Sequence, residues 1–201
     1  MTRLTETGTR SRTAGPPNVH KPEMRRRIMA KSDSFFIRAS VTVSGVTYAQ
    51  TEIDLGSFVN LGVTKSTLLR IHNVQAQYMD RSDHSSKIFY DGGIPGGILQ
   101  WQLTTQTQSG LILAKDKSYI CGGAYSQAST TGVLVQNADE TANANPSEWK
   151  NGYLIGVDSI FLAGDSSATW DNDDVDISVI LECTLETATQ ASSTALALSQ
   201  Q

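Results

Sequence analysis

The stretch Asp174-Val175-Asp176-Ile177-Ser178-Val179-Ile180-Leu181-Glu182-Cys183-Thr184-Leu185-Glu186 decides the fold. Every odd position from Val175 to Leu185 is apolar. The even positions hold Asp, Ser, Glu and Thr, with Ile180 the one exception. Side chains along a strand alternate between two faces, so this run predicts a strand with one face in a core and the other in solvent.

The same period recurs elsewhere. Phe35, Ile37, Ala39, Val41 and Val43 alternate with polar residues, and only Phe36 breaks the rule. Ser44-Gly45 follows, then Val46-Thr47-Tyr48, which predicts a hairpin of strands 35–43 and 46–55. In segment 67–79, Leu69 and Ile71 hold one phase while Val74, Ala76 and Tyr78 hold the other. That switch predicts a strand with a bulge near His72-Asn73. Leu99, Trp101 and Leu103 mark a strand at 98–107. Tyr119–Cys121, Val133–Val135 and Tyr153–Leu162 are further strand candidates. The glycines at 92–97 and the polar run 137–151 read as loops. Eight to ten strands, no helix beyond two turns and no repeat predict an all-β antiparallel β-sandwich. Eight strands with some long connections fit an eight-stranded jelly roll best. Phe36 and Ile180 sit on the wrong face of their strands. The expectation is that a second layer or a neighbouring subunit covers them.

Charge divides the chain. Up to Arg38 there are nine Lys/Arg against three acids; from Ala39 onward there are seven basic residues and seventeen acidic ones. Residues 1–33 carry Gly15-Pro16-Pro17, Pro22 and Arg25-Arg26-Arg27 and show no hydrophobic period. Such a segment buries too little apolar surface to offset its ordering entropy, so a disordered basic arm is expected there. The predicted layout is an arm at 1–33, a sandwich at 34–186, and a small, polar C-terminal tail at 187–201 with room for one helical turn. No run approaches the roughly 20 apolar residues of a membrane helix, so no membrane partner is expected. The start of the chain lacks a secretory-signal pattern, and it is too poor in apolar residues for an amphipathic transit helix.

Motifs for catalysis are nearly absent, and no enzyme is expected. There is no Gly-x-Ser-x-Gly elbow, phosphate loop or His-Glu-x-x-His. His20, His72 and His84 are dispersed. Cys121 and Cys183 lie in apolar, strand-like segments and read as buried thiols, and their pairing is left open. No cofactor is expected. Asp171, Asp173, Asp174 and Asp176 crowd four carboxylates into six residues, a density that suits Ca²⁺ at a subunit contact. The run is not an EF-hand loop, and a solvated turn before the last strand is the plainer reading. Trp101, Trp149 and Trp170 would serve a lectin-like, carbohydrate-binding sandwich. Trp101 shares the apolar phase of its strand and reads as core. In the arm, Arg10, Arg12, Lys21, Arg25, Arg26, Arg27 and Lys31 would neutralise phosphates and release counterions with little sequence preference.

Those seven basic residues, followed by strands at 35–43, 46–55, 67–79, 98–107 and 174–185, give the chain a plan that resembles the single jelly-roll capsid proteins of small icosahedral viruses. The resemblance is one of architecture and spans the whole chain. It implies a structural virion protein that self-assembles into a symmetric shell, with the arms inside on an RNA or DNA genome. A minimal shell of ~60 copies would hold about 360 positive charges from its arms. That matches only a few hundred phosphates, so a larger shell, a very small genome or mobile cations are implied. The non-viral alternative is the lectin-like module, which leaves the arm without a role.

Overall fold

A computed structural model describes residues 33–61, 64–85, 96–130, 133–139, 145–170 and 174–201. The stretch quoted above forms the strand Asp174–Thr189, here β9, and its alternation is realised as expected. Val175, Ile177, Val179, Leu181 and Cys183 are all buried. Among the described residues eight further strands precede it: β1 Phe35–Ser44, β2 Ala49–Asp54, β3 Lys65–Asp80, β4 Gly96–Thr104, β5 Tyr119–Thr130, β6 Val133–Asp139, β7 Tyr153–Ile155 and β8 Ser159–Ser166.

They form two antiparallel sheets, in the orders β1-β9-β3-β7 and β2-β8-β4-β5-β6. The chain changes sheet at every connection except β4→β5→β6. The first and last strands are neighbours. This is jelly-roll connectivity, with β6 added at one edge; the nine strands among the described residues fall within the eight to ten expected. β3 carries the predicted bulge: its register against β9 shifts between Ile71 and Asn73, at His72.

The core lies between the sheets. Val41, Val43, Ile71, Ile177 and Leu181 from one side meet Leu99, Trp101, Leu103, Ile160 and Leu162 from the other. Gly164 of β8 lets the layers approach. A Cβ there would stand 2.5 Å from Val43 Cγ2 and 2.8 Å from Ile177 Cδ1.

Three expectations are corrected. The segments 35–43 and 46–55 are not a hairpin. β1 pairs along its whole length with β9, and β2 pairs with β8 in the other sheet. Ser44-Gly45, with Gly45 at φ +57°, is therefore a corner between layers. The segment 153–162 is likewise two strands in different sheets, β7 and β8. The C-terminal tail is a docked helix, α1 Gln190–Ser199, capped by Thr189. It buries Ser193, whose hydroxyl donates to Ser66 Oγ at 2.9 Å. Beyond the helix Gln200 is buried: its Oε1 accepts from Gly156 N at 2.9 Å, and its Nε2 donates to Leu154 O at 2.7 Å.

Candidate functional site

The second face of the first sheet, turned away from the core, is the surface that the anomalous residues single out. Three strands, β1, β9 and β3, set its side chains in rows by register. One row is Phe36, Glu182 and Asn73; the next is Arg38, Ile180 and Gln75; the third is Ser40, Ser178 and Gln77. Phe36 is 54% exposed and Ile180 38% exposed in the single chain. The Arg38 guanidinium lies 5.8 Å from the centre of the Phe36 ring, a cation–π distance. Small Ser40 and Ser178 leave a shallow trough beside Arg38 and Ile180.

Both ends of this patch are closed off by the chain itself. At one end Arg70 and Glu186 form an ion pair, and Arg70 Nη1 donates to Asn151 O at 2.6 Å. Asn145 Nδ2 donates to Val74 O at 2.9 Å. These bonds hold the segment 145–152 against β3, and Thr184 and Glu186 are buried there. His72 at the bulge shares a 2.9 Å hydrogen bond with Thr184 Oγ1. At the other end Arg81 spans β1 and β9. It bonds Thr42 and approaches Asp176 Oδ1 at 3.5 Å and Asp174 Oδ2 at 4.0 Å. Asp176 also accepts from Thr42 Oγ1 at 2.6 Å, and Asp174 accepts from Ser44 Oγ.

The predicted site residues divide accordingly. Arg10, Arg12, Lys21, Arg25, Arg26, Arg27 and Lys31 lie outside the described residues, as do Asp171 and Asp173 and positions 92–95 of the glycine loop, whose Gly96 and Gly97 instead begin β4. Asp174 and Asp176 start β9 rather than standing in a turn, and each has partners within the chain. Among the described residues no group of three or more His, Cys, Asp or Glu is placed to hold a metal ion.

The thiols are buried. Burial raises the pKa of Cys121 strongly and pushes Cys183 up to about 12. Cys183 faces the core, whereas His72 bonds to Thr184 on the opposite face of β9, so the two do not form a nucleophile–base dyad. Trp101 is core, as expected, and donates from Nε1 to Tyr78 Oη at 3.0 Å. Trp170, offered by the sequence for a lectin-like sandwich, is buried, with Nε1 donating to Ser166 Oγ at 2.7 Å. Trp149 alone of the three is exposed; its ring is tilted against Tyr153 at 5.6 Å between centroids. Sequence reading missed Arg38 and Glu182 as members of the outer patch. The available signal was their phase, which is that of Phe36 and Ile180.

No protein-family model matches the chain, and no curated protein matches it. Among solved structures it is similar to VP1 of Trichodysplasia spinulosa-associated polyomavirus in complex with sialylated precision glycooligomers. The identity there is 8%, the match covers 77% of this chain and 95% of that one, and the TM-score is 0.46. The same VP1 with 3'-sialyllactose matches at 10% identity over the same shares, with a TM-score of 0.41. A chain of Desmodium yellow mottle tymovirus matches at 9% identity over 89% of this chain and 95% of that one, with a TM-score of 0.28. Those neighbours are viral capsid proteins; the jelly roll itself is established for this chain by its own strand order.

Proposed function

We propose that this chain is a structural capsid protein that closes into an icosahedral shell, with residues 1–33 binding packaged nucleic acid by charge. The observation that carries the reading is the position of the charge boundary. The basic segment ends at Lys31, and the first strand of an otherwise acidic jelly roll starts at Phe35. The described chain enters β1 beside β9, where Phe35 pairs with Cys183, and in this reading that is where the arm is rooted. Lys and Arg on such an arm neutralise phosphates without reading sequence. One arm binds weakly, and many gathered in one assembly bind tightly. The exposed Phe36 and Ile180 fit a surface that becomes covered when copies meet. In this reading the protein resides in the virion, its partners are further copies of itself and an RNA or DNA genome, and it performs no catalysis.

The test is the absorbance ratio of purified particles at 260 and 280 nm, for the full chain and for a chain lacking residues 1–33. The full chain should carry nucleic acid that is lost on truncation and shed in high salt. Equal nucleic-acid content in both would remove the arm from the account. The acidic run 171–176 has a place in the same reading, as a Ca²⁺ site at a subunit contact. Assembled particles would then melt higher in Ca²⁺ than in chelator, and equal melting would dismiss the ion.

A further inference from the structure

We infer that the outer face of the first sheet is a two-fold contact between copies of this chain, built on Phe36 and Ile180 and locked by reciprocal Arg38–Glu182 pairs. The inference goes beyond the shell reading and does not depend on it.

The rows Phe36–Glu182–Asn73, Arg38–Ile180–Gln75 and Ser40–Ser178–Gln77 form a three-by-three array. Consider a two-fold axis in the plane of contact, along the diagonal through Phe36, Ile180 and Gln77. It places Phe36 on Phe36 and Ile180 on Ile180 of the second copy. It exchanges Arg38 with Glu182, so each copy's cation meets the other's carboxylate, twice. The remaining positions match Gln75 with Ser178 and Ser40 with Asn73, all of them polar and uncharged. With strands ~4.8 Å apart and rows ~6.7 Å apart, that diagonal lies about 35° from the strands, so the strands of the two sheets cross at about 70°, nearer the orthogonal than the aligned sheet packing.

Axes along the strands or along the rows do worse. The first sets Glu182 against Glu182, and the second sets Arg38 against Arg38. The array is therefore self-complementary in charge about one diagonal, as an isologous contact requires. Neither Arg38 nor Glu182 is taken up in an ion pair among the described residues, while Arg70, Arg81, Asp174 and Asp176 at the two ends of the patch have partners. The occupant is thus a second copy: its apolar centre matches this one, and its charges are those this face lacks partners for. A patch three strands wide is smaller than the roughly 800 Å² per partner of a standard interface. The contact is accordingly weak by itself, and trapping is the suitable test.

The experiment uses the full chain with Ile180→Cys and a short bis-maleimide crosslinker, read on a denaturing gel, because packed sheets stand ~10 Å apart, beyond direct disulfide reach. Native Cys121 and Cys183 are buried and do not contribute. Leu198→Cys, 64% exposed on α1, is the control. The expected result is a crosslinked species of twice the chain mass for Ile180→Cys and none for Leu198→Cys. Adding Arg38→Glu or Glu182→Arg to Ile180→Cys should lower the trapped fraction about tenfold, and both reversals together should restore it. Trapping no better than the control, or a double reversal as weak as the singles, overturns the inference. Electron microscopy of the same samples reports shell formation separately, so the failure of one reading is distinguishable from the failure of the other.

Discussion

Arg70 on β3 and Glu186 on β9 meet in a two-bonded ion pair, Nε to Oε1 at 2.6 Å and Nη2 to Oε2 at 2.7 Å. Their side chains are only 14% and 9% exposed, and Arg70 also holds the Asn151 carbonyl. Removing one partner leaves a buried charge uncompensated, at a cost of about 3 kcal/mol or more. Glu186→Gln should lower the denaturant midpoint accordingly. Replacing both residues with apolar ones should recover much of the loss. If Glu186→Gln melts like the parent, the pair contributes no net stability.

The C-terminal residues are part of the fold. Gln200 satisfies the Gly156 N–H and the Leu154 carbonyl through its side chain, and the Gln200 carbonyl oxygen accepts from Thr105 Oγ1 at 2.6 Å. Gln200→Ala orphans two backbone groups, at about 1–3 kcal/mol each. Amide exchange at Gly156 should rise together with the loss in midpoint. Protection unchanged at Gly156 would show that the docking is not held by Gln200.

Gly164 on β8 faces Val43 and Ile177 of the other sheet. Its φ is ordinary for any residue, so the constraint there is steric. Gly164→Ala drives a methyl into Val43 and Ile177, and overpacking of this kind costs about 1–3 kcal/mol. Thermal unfolding should show Gly164→Val worse than Gly164→Ala. Neutral behaviour of both would mean that the layers separate freely.

Both cysteines should resist alkylation in the folded chain at pH 8 and react once it is unfolded in denaturant. Burial raises Cys183 from the ordinary thiol value of 9.0 to about 12 and Tyr119 from 10.0 to about 12. Unfolded chains lose these protons first, so they bind fewer protons than the native state across this window. The stability from Cys183 is complete below pH 9 and is lost as pH rises toward 12; that from Tyr119 is lost between pH 10 and 12. The slope is at most about 1.4 kcal/mol per pH unit for each group. Denaturant midpoints that stay flat from pH 8 to 11 would contradict this burial.

Much of the sandwich was legible because period-2 alternation reports which face of a strand is buried. It placed Val175 to Cys183 and Leu99 to Leu103 in the core, and the change of phase after Ile71 located the bulge. Alternation says nothing about which strand lies alongside. Ser44-Gly45 suits a hairpin turn and a corner between layers equally well, and only the long-range pairing of β1 with β9 decides between them. The run Tyr153–Leu162 hid a change of sheet for the same reason. The full length of the helix at 190–199, beyond the one turn expected, was not legible because Ala, Ser and Thr form no apolar stripe. Its place is set by contacts such as Ser193 with Ser66, far apart in the chain. The outer patch was half legible: Phe36 and Ile180 stood out as breaks in the pattern. Arg38 and Glu182 looked like ordinary solvated positions until register set them around Ile180.

The central claim is that copies of this chain close into a shell. Negative-stain electron microscopy of the purified full chain, under conditions matched to size-exclusion chromatography, tests it most directly. The account predicts closed, uniform particles that elute far ahead of a single chain. A small, nucleic-acid-free species with no particles at any protein or salt concentration would contradict it.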